Sequence, residues 1–101
     1  MSAAPRRSRV MIRGAVQGVG YRAWVEYTAL LRGLEGWVRN RGDGAVEAVF
    51  VGSREDVKAM IELCRRGPPG AGVESVQEED ALPNVLESRY PGEAFSVLPT
   101  Q

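Results

Sequence analysis

Residues 14 to 22, Gly-Ala-Val-Gln-Gly-Val-Gly-Tyr-Arg, place three glycines and an arginine between a strand-like run and a helix-like run. Glycines at 18 and 20 let successive backbone N–H groups turn toward one point. The helix that follows adds its own unpaired N–H groups and the positive end of its dipole. The chemistry available there is anion binding, with the Arg22 guanidinium supplying forked donors that suit phosphate oxygens. The same spacing also suits a glycine-rich turn that binds nothing.

A second candidate is Asn40, which closes the next strand-like run just before Arg41-Gly-Asp-Gly44. A helical crossover makes the first two strands parallel. Their C-terminal ends, carrying the glycine loop and Asn40, therefore reach the same edge of a sheet. With one strand between them they stand about 9 to 10 Å apart, at about 4.8 Å per strand, which leaves space for a phosphate and one water. Taken singly, Asn40 reads as a turn-shaping residue and Arg22 as an exposed arginine at a helix start. An arginine there opposes the helix dipole by roughly a few tenths of a kcal/mol unless an anion lies beside it, so a bound phosphate explains the pair better.

Other phosphate chemistry is excluded by what is missing. No Lys-Ser or Lys-Thr completes a GxxxxGK[ST] loop. Gly18-Val-Gly20-Tyr-Arg-Ala23 satisfies GxGxx[GA], but Asn40 stands where a dinucleotide site needs an acidic residue, and the chain is too short for the further βα units. The single cysteine, Cys64, has Gly70 six residues on where a cysteine phosphatase needs arginine, and it lies on the apolar stripe of a helix, so it reads as core. There is no histidine, which removes the usual general base, a phosphohistidine intermediate and the commonest metal ligand. No metal or other cofactor is expected.

The elements that must position these residues follow from pattern. Val10 and Ile12 share one face of a first strand over residues 9 to 13. A helix from Arg22 to Arg32 stops at Gly33, with two competing apolar faces: Trp24, Tyr27, Thr28 and Leu31, or Val25 and Ala29. Leu34 to Asn40 and Val46 to Phe50 form a hairpin around the Arg-Gly-Asp-Gly turn. Ser53 caps a second helix, with Asp56 where a capping box usually has Glu or Gln, and Val57, Met60, Ile61 and Cys64 recur at i, i+3, i+4, i+7 before Gly67. A fourth strand spans Val73 to Glu79, residues 80 to 94 read as a loop, and Phe95 to Leu98 as a short strand. The order βαββαβ predicts an α+β, ferredoxin-like fold, an antiparallel sheet with two helices on one face.

At 101 residues the chain is expected to form one domain, with residues 1 to 8 as a solvated tail. Thirteen basic residues balance thirteen acidic ones, so no field gathers nucleic acid or a membrane surface, and any anion site must be local. No secretory or transit signal is evident at the start, and one unpaired cysteine suits a reducing compartment, so cytoplasm is the expectation.

GAVQGVGYR, then GLEGWVRN, then a hairpin into GAVEAVF, and later CRRGPPGAGVESV, resemble the acylphosphatase family with the same spacing from Val10 to Val76, and Phe95 resembles the start of its last strand. Departures are Tyr21 where Phe is commoner, Arg32 where many members carry Leu, and the loop after Glu79. The resemblance implies hydrolysis of acyl phosphates to a carboxylate and inorganic phosphate, without metal or phosphoenzyme. It implies Arg22 as the grip on the phosphoryl group and Asn40 as the holder of the attacking water. It also implies a phosphate cradle from the backbone of Gln17, Gly18, Val19, Gly20, Tyr21 and Arg22. The expected partner is a small-molecule acyl phosphate met by a monomer. The same fold also carries sensing modules that bind an anion or small molecule without turnover, and these remain the alternative.

Overall fold

The computed structural model describes residues 4–101. Their order is β1 (Arg6–Ala15), α1 (Tyr21–Leu31), β2 (Glu35–Asn40), β3 (Val46–Gly52), α2 (Arg54–Arg66), β4 (Gly72–Asp80), a 3-10 turn (Val85–Ser88) and β5 (Phe95–Val97). The strands lie in the order β4-β1-β3-β2-β5, so β3 does separate β1 from β2. Pairing is antiparallel except at β2 and β5, whose parallel register sets Val38 beside Val97. This is the ferredoxin-like arrangement, with a mixed rather than wholly antiparallel sheet.

Alternation decides which side of the sheet is covered. Val10 and Ile12 of β1, Val38 of β2 and Val46, Ala48 and Phe50 of β3 are completely buried on the helix side. α2 packs over β1 and β4 through Val57, Met60, Ile61 and Cys64. Ser53 caps it as expected, accepting from the Asp56 N–H at 3.1 Å, while the Ser53 hydroxyl donates to the Asp56 carboxylate at 2.9 Å. α1 lies over β2 and β5, and the choice between its two faces falls on Tyr21, Val25 and Ala29. Tyr27 and Leu31 face solvent, because a stripe at i, i+4, i+8 is the one that β2 and β5 can cover.

The tail expected over residues 1 to 8 is corrected from Arg6 onward. Arg6, Arg7 and Ser8 pair with Gly52, Val51 and Phe50, and the buried Ser8 hydroxyl donates to Glu78 at 2.8 Å while Arg6 also binds Glu78. Polar cross-strand partners, invisible to a hydrophobic pattern, extend the strand. Residues 1–3 lie outside the described residues.

The other face of the sheet is partly sheathed. Trp37, Val49, Val51 and Leu98 form a second apolar cluster under Val85 and Leu86, and Trp37 donates its indole N–H to Val85 O at 2.9 Å. The stretch read as loop thus holds a 3-10 turn that covers Trp37. Beside it, buried Glu47 accepts from Arg9 (2.5 Å), Arg39 (2.7 Å) and Arg41 (3.1 Å). Burial alone would raise its pKa, but the arginine hydrogen bonds outweigh this and hold the carboxyl below its ordinary range.

Tyr21, the departure from Phe, has a structural reason. The carbonyl of Cys64 would accept from residue 68 in a continuing helix, but Pro68 has no N–H. The Tyr21 hydroxyl donates to that carbonyl instead, at 2.6 Å, tying the start of α1 to the end of α2. Burial pushes the phenol pKa up, so the donor keeps its proton. Tyr21→Phe is expected to lower unfolding free energy by about 1 to 3 kcal/mol, measured by urea denaturation, because it leaves a buried acceptor unpaired.

Candidate active site

In the loop after β1, Gly18 (φ 76°) and Gly20 (φ 79°) take left-handed backbone conformations that other residues avoid. Gly20 is the N-cap of α1, makes no side-chain cap, and its carbonyl receives the first helical bond, from Trp24 N–H at 3.0 Å. Among the described residues, no hydrogen bond uses the backbone N–H groups of residues 17 to 23. No acidic residue stands in the first turn of α1 to compensate them. A run of unpaired donors at the positive end of a helix is what an anion cradle requires.

Gly18, Gly20, Tyr21 and Arg22 line a cleft of about 280 Å³ together with Val16, Ala23, Glu26, Asn40 and Val97. Arg22 and Asn40, separated in sequence by most of α1 and all of β2, are thereby brought to one cleft. Arg22 is half-buried and forms no ion pair among the described residues. Of the six residues expected to form the phosphate cradle, Gln17 and Val19 do not line the cleft. Val19 packs against the core, and the Gln17 side chain donates to Arg41 O (2.8 Å) and Ala45 O (2.9 Å). Gln17 therefore braces the loop against the hairpin that carries Asn40. The Tyr21 side chain points into the core, so only its backbone can meet a ligand.

Asn40 ends β2 on the helix side, in register with Val46. Its backbone is not left-handed, and it makes no side-chain bond to the turn. The turn is shaped by Asp43, whose carboxylate accepts from Ala45 N–H at 3.0 Å, and by Gly44 at φ 96°. The turn-residue reading of Asn40 thus loses its basis. Its Oδ1 is buried and accepts no hydrogen bond among the described residues. An unpaired buried acceptor costs about 1 to 3 kcal/mol, a cost that a functional position explains. The backbone of Asn40 is held by Gln101, beyond β5, whose N–H donates to Asn40 O at 3.1 Å while its carbonyl accepts from Gly42 N–H at 2.8 Å.

Cys64 is completely buried, and burial pushes its thiol pKa up to about 12, so it is a core side chain and not a nucleophile. Among the described residues no three His, Cys, Asp or Glu side chains stand together as a metal site needs.

A sequence model of the Acylphosphatase family matches residues 8–90. The chain belongs to the acylphosphatase family. An acylphosphatase of Bradyrhizobium diazoefficiens is 62% identical over 92 residues, covering 91% of this chain and 93% of that protein. The solved acylphosphatase of Coxiella burnetii superposes with a TM-score of 0.81 at 34% identity, covering 94% of both chains. That of Bacillus subtilis gives 0.78 at 31%, covering 91% of this chain and 97% of its own.

The acylphosphatase match contains every residue lining the cleft except Val97, which β5 contributes from beyond it. Three features of this candidate site went unread in the sequence: Glu26 in the cleft, the Gln17 brace and the Gln101 clamp. Only Glu26 left a signal, its i+4 spacing from Arg22 on one helix.

Proposed function

We propose that the protein is an acylphosphatase, cleaving the carboxyl–phosphate bond of acyl phosphates to a carboxylate and inorganic phosphate. The observation that carries the reading is the buried, unpaired Oδ1 of Asn40 in the same cleft as Arg22 and the free N–H groups at the start of α1. Arg22 and the backbone donors of Gly18, Gly20, Tyr21 and Arg22 grip the phosphoryl oxygens and stabilise their charge as the bond to the acyl oxygen breaks. A water held by the Asn40 carboxamide is aligned for attack on phosphorus. The departing carboxylate needs no acid, and a phosphoryl oxygen accepts the water's proton. This chemistry uses no metal and no covalent intermediate.

The cleft is complete within one chain, which supports action as a monomer, and the chain works as one domain. No helix among the described residues is long and apolar enough to cross a membrane. With one buried thiol and a small soluble substrate, the cytoplasm is the proposed compartment.

The test is release of phosphate from acetyl phosphate with and without EDTA. Turnover unchanged by EDTA is expected, with inorganic phosphate a competitive inhibitor that also raises Tm by binding only the folded state. Phosphate binding without turnover would instead identify a sensing module. Activity lost on chelation and restored by a divalent ion would refute the metal-free mechanism.

A further inference from the structure

The phosphoryl end of the cleft is rich in donors, but its remaining lining has a different character. Val16, Ala23 and Val97 are small and apolar, and Glu26 is the one acidic side chain among the lining residues. Glu26 lies one helical turn beyond Arg22 on α1, is half-buried, and forms no ion pair among the described residues. An unpaired carboxylate beside an anion cradle works against binding any anion. When Arg22 engages the phosphoryl group, no other cationic side chain in the lining can compensate Glu26.

The acyl group has limited room. The cradle takes the phosphoryl group at Gly18 to Arg22, and the attacking water lies on the Asn40 side. With the phosphoryl group in the cradle, the acyl group it carries meets the rest of the cleft lining, where Ala23, Glu26 and Val97 stand.

Resting on the proposed acylphosphatase activity, we infer that Glu26 is a specificity determinant. It selects acyl phosphates with an uncharged or cationic acyl group against those that carry a second carboxylate. The small apolar neighbours accept a short aliphatic acyl chain, while Glu26 repels a further negative charge at its end. Because this repulsion acts alike in the bound substrate and in the transition state, it belongs to KM rather than kcat.

The experiment compares kcat/KM for acetyl phosphate and succinyl phosphate in the wild-type protein and in the Glu26→Gln, Glu26→Asp and Glu26→Lys variants, at low and at raised salt. The wild-type protein is expected to prefer acetyl phosphate. In Glu26→Gln that preference falls about threefold to tenfold through a lower KM for succinyl phosphate. Glu26→Asp retains the preference, Glu26→Lys weakens it beyond the Gln variant, and raised salt narrows the differences. An acetyl-to-succinyl ratio equal in wild type, Gln and Lys variants would overturn the inference. Failure of the wild-type protein to hydrolyse acetyl phosphate at all would count against the proposed function instead, so the two failures are distinguishable.

Discussion

Replacing Arg22 by alanine is expected to lower kcat/KM for acetyl phosphate by about 10³-fold or more, equivalent to about 4 kcal/mol of transition-state stabilisation. In the proposed mechanism the guanidinium contacts the phosphoryl oxygens in both the bound substrate and the transition state, so KM is expected to rise and kcat to fall together. Competitive inhibition by inorganic phosphate should weaken in parallel. Arg22→Lys is expected to recover only part of the loss, because an ammonium keeps the charge but not the planar fork. Stability should change little or rise slightly, since a cation is removed from the positive end of α1. Steady-state kinetics with both variants checks the assignment, and an Arg22→Ala protein with unchanged phosphate inhibition would refute it.

Asn40→Ala is expected to separate the two steps that Arg22 joins. In the proposed mechanism the water loses its holder, so kcat is expected to fall about 10² to 10³-fold, while the inhibition constant for phosphate stays close to the wild-type value. The Asn40 Oδ1 is a buried acceptor with no partner among the described residues, so its removal should leave thermal stability unchanged or raised. A residue kept for its turn would behave in the opposite way, losing stability and keeping its rate. Asn40→Asp keeps the shape but sets a negative charge facing the phosphoryl group, and should be at least as damaging to kcat as alanine. A folded Asn40→Ala protein turning over at the wild-type rate would remove Asn40 from the mechanism.

The two residues were legible for different reasons. Arg22 follows a glycine pair and starts a helix, a local signal, because left-handed glycines and a helix N-terminus create unpaired donors wherever they occur. Asn40 is locally ambiguous, since the same residue before Arg-Gly-Asp-Gly suits a turn. Asp43 and Gly44 take over the turn and Oδ1 lies buried in the cleft, which supports the proposed role of Asn40.

Short-range chemistry was determined by the sequence alone. The Ser53 cap, the stop at Gly33, the alternation of Val10 and Ile12 and the i, i+3, i+4, i+7 stripe of α2 each depend on residues within a few positions of one another. That β3 lies between β1 and β2 was also legible, because the βαββαβ order leaves few topologies, whereas the parallel pairing of β5 with β2 was not. Tertiary structure decided what depends on distant partners. Tyr21, Val25 and Ala29 became the buried face of α1 because β2 and β5 lie beneath them, although Trp24, Tyr27, Thr28 and Leu31 offered a comparable apolar stripe. Trp37 acquired its cover from Val85 and Leu86, nearly fifty residues on, and Arg6 to Ser8 joined β1 through backbone pairing with Gly52, Val51 and Phe50 of β3 and the polar partner Glu78 on β4. Glu26 entered the cleft only because the first turns of α1, the end of β2 and β5 converge there. Local pattern specifies backbone conformation and the apolar faces on offer. Which face is buried and which side chains meet is settled by the burial of apolar surface between segments far apart in the chain.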